Sequence, residues 1–252
     1  MRVQLGRTVA DRAVRALGQA TCVLPHVAAG HQAAVQLAVR QVGAGPADRR
    51  EQGHERPLNQ TEGQHVASNF LGSDEPQADQ QITPRINGNF TGTTAEILRW
   101  AACKWGISQD IVFAQAAVES WWRQTTLGDW NTTGCPPGHG PGIDGTLGLC
   151  PQSWGIMQNR YPYEQSSWPA IATSTAMNAD TAYAVWRSCY EGYQTWLNTV
   201  PHVGTYQAGN VWGCVGRWVS GRWFGPQADQ YIAKVKRDMR DRVWTHPNFQ
   251  EP

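Results

Sequence analysis

A chain of 252 residues can hold one large domain or one domain with an appendage, and its 13 tryptophans supply a substantial core. A net charge of +1, balanced in both halves, leaves no basic face to neutralise phosphates, which excludes nucleic acid as a partner. No stretch approaches the run of about 18 apolar residues that a membrane span needs.

In chain order, residues 1–85 come first. They contain one aromatic residue, Phe70, and are rich in Ala, Gln, Arg, Gly and His. That composition buries little, so a disordered, low-complexity segment, or an over-extended start of the reading frame, is expected ahead of a domain over 86–252. Arg2, Arg7, Arg12 and Arg15 are not followed by the apolar core of about 7–15 residues that marks a signal peptide.

Helical patterning starts at Thr94, read as a cap; Ile97, Leu98, Ala101 and Ala102 recur at three- and four-residue spacing, and Gly106 ends the run. Ser108 caps the next helix, with Asp110 in its first turn where the helix dipole favours negative charge. Ile111, Val112, Ala114, Val118 and Trp122 mark it as largely buried, and Glu119 sits inside that run. A Pro- and Gly-rich loop follows over 126–151, then the short segment 153–158. Tyr183, Trp186, Tyr190, Tyr193 and Trp196 predict a long helix over 175–199. A shorter helix over 210–219 contains Gly213 and Gly216. A last amphipathic helix begins near Pro226 and carries Tyr231, Ile232, Val235 and Met239 on its apolar face. No alternating pattern of useful strand length occurs, so the domain reads as mainly α.

Five of the six cysteines lie in this aromatic-rich region, and none has the CxxC spacing of a metal site. Cys135 and Cys150 bracket the Pro/Gly loop and are expected to be joined. Cys189 with Cys214 is the second expected disulfide, and Cys103, on an apolar helix face, is expected as a buried thiol. Two disulfides imply an oxidising compartment, hence a secreted or cell-envelope protein, although no signal peptide is legible. His139, flanked by Gly138 and Gly140 with no second histidine nearby, reads as a loop residue rather than a catalytic or metal-binding one. Lys234, Lys236, Arg237, Arg240 and Arg242 alternate with Asp238 and Asp241, which reads as a solvated helix face ahead of a polyanion-binding patch.

The chemistry rests on two blocks. Glu119-Ser120, a loop, and then Gly155-Ile156-Met157-Gln158 resemble the signature of the soluble lytic transglycosylase and goose-type lysozyme superfamily, whose members show Glu-Ser and Gly-Leu-Met-Gln. Asn178, in Met177-Asn178-Ala179-Asp180, is similar to the family's asparagine at the start of its next helix. Trp218-Val219-Ser220-Gly221 stands where the family often has Tyr-Asn-Ala-Gly; Trp218 replaces a tyrosine that bonds the catalytic carboxyl, leaving Tyr183 or Tyr190 as candidate substitutes. The resemblance spans residues 93–245 and implies a lysozyme-like helical fold and cleavage of β-1,4 glycosidic bonds in peptidoglycan, the bacterial wall polysaccharide. It also implies a single glutamate that acts first as acid and then as base while the sugar's own hydroxymethyl group closes a 1,6-anhydro ring.

The residues support an acid at Glu119 on their own account, since burial on an apolar helix raises a glutamate's pKa towards neutrality. Glycosidases usually employ a second carboxylate, for which Asp129 and Asp144 are the candidates. Ser120, Trp121, Trp154, Met157, Gln158 and Asn178 are assigned to the saccharide, the tryptophans by stacking on a pyranose face. A hydrolytic lysozyme, a chitin or chitosan hydrolase, and a non-catalytic carbohydrate-binding module are the alternatives. No cofactor and no metal are expected, and the chain is expected to act as a monomer on its polysaccharide.

Overall fold

The computed structural model describes residues 75–250 of the protein. The expectations for residues 1–74, Cys22 among them, lie outside that span. The described residues are mostly helical: α1 (Pro76–Gln81), α2 (Thr94–Trp105), α3 (Gln109–Ser120), α4 (Ala170–Thr173), α5 (Thr175–Glu191), α6 (Val211–Ser220) and α7 (Pro226–Asp241), with short 3-10 turns between them. None of these helices is long and apolar enough to cross a membrane.

The packed chain starts earlier than residue 86. Ala78, Ile82 and Ile86 are core residues, and the segment that follows is anchored by the buried carboxylate of Asp180. Asp180 accepts the backbone N–H groups of Asn87 and Gly88 (2.9 Å each), the Trp105 indole (2.8 Å) and the Lys104 ammonium (2.6 Å). A buried charge with this many donors is compensated, and it ties residues 87 and 88 to α2 and α5.

Helix α2 begins in a capping box: the Thr93 hydroxyl accepts the Glu96 N–H, and the Glu96 carboxylate accepts the Thr93 N–H at 2.8 Å. The cap is therefore Thr93, one residue before the predicted Thr94, which is buried as the first helical residue. Gly106 ends the helix in the left-handed region. The long helix α5 stops at Glu191 rather than near 199, because Gly192 takes φ +91°. The aromatic spacing that prolonged the prediction belongs to a 3-10 turn, Thr195–Asn198. Helix α2 packs on α5 and α3, α3 packs on α7, and α7 packs on α6. One core cluster runs through all of them.

Three two-residue strands escaped the periodicity reading: β1 (Leu127–Gly128), β2 (Ser153–Trp154) and β3 (Asn159–Arg160), antiparallel in the order β1-β2-β3. Alternation cannot be seen over two residues. The Pro/Gly loop between β1 and β2 is closed by the Cys135–Cys150 disulfide, and Cys189–Cys214 joins α5 to α6, both as paired in the sequence reading. Cys103 is a correction. It is disulfide-bonded rather than a thiol.

Candidate functional site

Glu119 is the penultimate residue of α3, half-buried where the helix ends. No glycine terminates this helix. Trp121 and Trp122 both adopt left-handed backbone, φ 57° and 60°, a conformation that bulky residues hold only when packing enforces it. Here the Trp122 indole donates to the Phe113 carbonyl at 2.9 Å and packs edge-on to the Phe113 ring at 4.8 Å. Trp121 lies against Phe249 at 4.6 Å.

Directly after Glu119, the buried Ser120 hydroxyl donates to the Ile156 carbonyl at 2.8 Å. That bond joins the end of α3 to residues 155–158, the turn between β2 and β3. Two buried amides hold the turn from the other sides. Gln124 accepts the Ile156 N–H (3.1 Å) and donates to the Ile171 carbonyl (2.9 Å). Asn178, with no exposed surface, accepts the Met157 N–H (2.8 Å) and donates to the Trp154 (2.8 Å) and Ile171 (2.7 Å) carbonyls. Gly155 has φ +80°, and a Cβ there would stand 2.3 Å from Asn178 Nδ2 and 2.7 Å from Gln124 Nε2, so only glycine fits. Gln158, itself at φ 53°, donates to the Thr126 and Gly155 carbonyls at 3.0 and 2.8 Å.

These contacts revise the roles read from sequence. Ser120, Trp154, Met157 and Asn178 are at most 7% exposed, and the polar side chains among them bond to backbone: they build the wall behind the acid rather than face a ligand. Gln158 is half-buried. Trp121, whose ring lies against Phe249, is 39% exposed and is the more open of the two tryptophans in that set.

The carboxyl of Glu119 receives the Tyr231 hydroxyl from α7, and the Trp218 side chain on α6 favours its charged form. Burial pushes the Glu119 carboxyl up, Tyr231 and Trp218 oppose it, the charge of Asp129 raises it further, and the Lys234 ammonium pulls it down; it stands at about 7. The sequence reading missed Tyr231 because it counted it as core. Its hydroxyl was the available signal, since a buried tyrosine on an apolar stripe needs a partner. Of the proposed substitutes, Tyr183 reaches the Val112 carbonyl (3.3 Å) and Met157 sulfur (3.6 Å), and Tyr190 stacks on Trp186. Trp218, at the position where the sequence resemblance led to a tyrosine being expected, favours the charged form of the same carboxyl.

Asp129, just past β1 in left-handed backbone, is bonded by the Ser153 hydroxyl and lies 3.8 Å from the Arg160 guanidinium. Its charge acts on Glu119. Asp144 is engaged elsewhere: it pairs with His139 Nδ1 at 2.9 Å, and the His139 ring meets Trp154 and Trp168 edge-on at 4.6 and 5.4 Å. That pair fastens the disulfide-closed loop to the sheet. A concavity of about 400 Å³, lined by His202, Val203, Arg222 and Phe224 among others, shares no residue with the Glu119 network. No group of three His, Cys, Asp or Glu side chains that could hold a metal occurs among the described residues.

No protein-family model, curated protein or solved structure matches this chain.

Proposed function

We infer that this chain is a lysozyme-like glycan-cleaving enzyme of the lytic transglycosylase kind, acting on peptidoglycan with Glu119 as its general acid and base. The observation that carries this reading is the Glu119 carboxyl, raised to about 7 by burial and bonded by the Tyr231 hydroxyl. A carboxyl at that pKa keeps its proton near neutrality, yet Tyr231 and Trp218 stabilise the carboxylate left when the proton is given up. The protonated Glu119 transfers its proton to the glycosidic oxygen as the C1–O bond breaks. The resulting carboxylate then accepts the proton of the C6 hydroxyl while O6 bonds to C1, closing a 1,6-anhydro ring and restoring the acid.

A second reading rests on Asp129, whose charge reaches Glu119. If water attacked C1 with Asp129 as partner, the enzyme would be a hydrolytic lysozyme. Mass analysis of products from purified peptidoglycan separates the two. Anhydro-muropeptides are the expected products, free reducing ends would select the hydrolase, and binding without products would leave a carbohydrate-binding module. The two disulfides suit an oxidising compartment, so the enzyme is proposed to work in the cell envelope or outside the cell.

A further inference from the structure

The basic run at the C-terminal end of α7 reads from sequence as a solvated face, and all five members are exposed, four of them with partners of their own. Arg237 pairs with Asp238 and Arg240 with Asp241, each at 2.9 Å. Lys236 lies over the Trp212 ring at 4.5 Å, and Arg242 over Trp244 at 6.0 Å. Lys234 differs. It is exposed, has no ion-pair or ring partner among the described residues, and stands three residues beyond Tyr231, so it flanks the buried stripe on the side that bonds Glu119. It is also the member of the run whose charge is felt at the Glu119 carboxyl.

The other groups that face that carboxyl are Asp129 after β1, Tyr183 on α5, Trp218 on α6, and Tyr231 on α7. Asp129 already has its own cation in Arg160. While Glu119 is protonated, it gives Lys234 no countercharge.

We propose that Lys234 is a specificity-determining residue that binds a carboxylate carried by the glycan beside the scissile bond, so that the site prefers strands with anionic substituents over neutral ones. This rests on the glycan-cleaving reading of the same site. A lysine suits the task as a compact charge on a flexible stem, able to follow a carboxylate on a mobile substituent. Binding also alters the acid. A substrate carboxylate over Lys234 cancels the cation's pull on Glu119, so the acid keeps its proton to higher pH in the complex than in the free enzyme.

The test uses peptidoglycan strands and the same strands with their carboxylates converted to methylamides. The wild-type protein is expected to favour the native strands in kcat/KM by roughly tenfold, the scale of one charge-assisted contact at a partly exposed position. In Lys234→Met that preference collapses towards one. The alkaline limb of kcat lies above that of kcat/KM for native strands, and the two limbs coincide for amidated strands. Binding of Glu119→Gln and of Glu119→Gln with Lys234→Met to both kinds of strand, followed by tryptophan fluorescence, reads the same preference without turnover. Cleavage of native strands with an undiminished preference in Lys234→Met overturns the proposal while leaving the cleavage reading intact. Binding preference that depends on Lys234 in a protein that cleaves neither strand overturns the cleavage reading instead.

Discussion

Glu119 is held between opposing effects, and each can be removed singly. The Tyr231 hydroxyl favours the carboxylate, so Tyr231→Phe should raise the pKa of Glu119 further. The alkaline limb of the pH–rate profile is expected to move up by about one unit, the equivalent of one hydrogen bond to a charged group. An unmoved limb would mean that the hydroxyl does not bond the acid in solution. The raised pKa also has a stability consequence. In the unfolded chain the carboxyl titrates near its ordinary value of 4.5, and in the folded protein at about 7. The folded form thus binds its proton more tightly, and stability is lost as pH rises between those two values. Glu119→Gln, which cannot ionise, should match the wild type at pH 4 and exceed it above pH 7 by about 1–3 kcal/mol in denaturant titrations. At this scale the raised carboxyl of Glu119 was legible in the sequence, because a glutamate inside an apolar helical run is desolvated. Its donor was not, because nothing local links Tyr231 to a residue 112 positions away.

At the scale of elements, the two motif blocks form one object. Ser120 closes the end of α3 onto the turn 155–158, while Gln124 and Asn178 fix that turn from α5 and the segment after α3. Spacing in the sequence showed both blocks and their order, but not that most of their polar side chains serve backbone rather than ligand. That distinction depends on burial, which a chain with tryptophans throughout its second half does not display. Asn178→Ala would leave the Met157 N–H and the Trp154 carbonyl short of the partner it supplies, while the Ile171 carbonyl keeps the Gln124 amide. At about 1–3 kcal/mol for each unsatisfied buried group, the loss should reach at least about 2 kcal/mol in the unfolding free energy, with activity falling as the turn shifts. The helices themselves were readable from caps and glycines, within one residue at Thr93 and Gly106. The end of α5 was misjudged because aromatic spacing persisted beyond Gly192, where the left-handed backbone breaks the helix. The β-strands were too short to show a period.

The whole molecule is fastened by cross-links and by buried charge. Cys135–Cys150 closes the loop that carries His139 and Asp144, and replacing both cysteines by alanine should lower stability by about 3 kcal/mol, the entropy of a loop of that length. Because the His139–Asp144 pair packs that loop on the sheet bearing Asp129 and not on Glu119, activity should fall less than stability, which parallel unfolding and rate measurements would show. The mainly α architecture and two disulfide pairings followed from periodicity and cysteine placement. The start of the packed chain did not, since α1 and the residues after it are polar and short in sequence. They join the core through Ala78, Ile82 and Ile86 and through the donors gathered on Asp180, contacts made across nearly a hundred residues. Cleavage of peptidoglycan by Glu119→Gln, whose fold is verified by circular dichroism, tests the central claim most directly. A loss of at least about 100-fold relative to the wild type is predicted, the least expected of a general acid, whereas a folded variant that cleaves at the wild-type rate would contradict it.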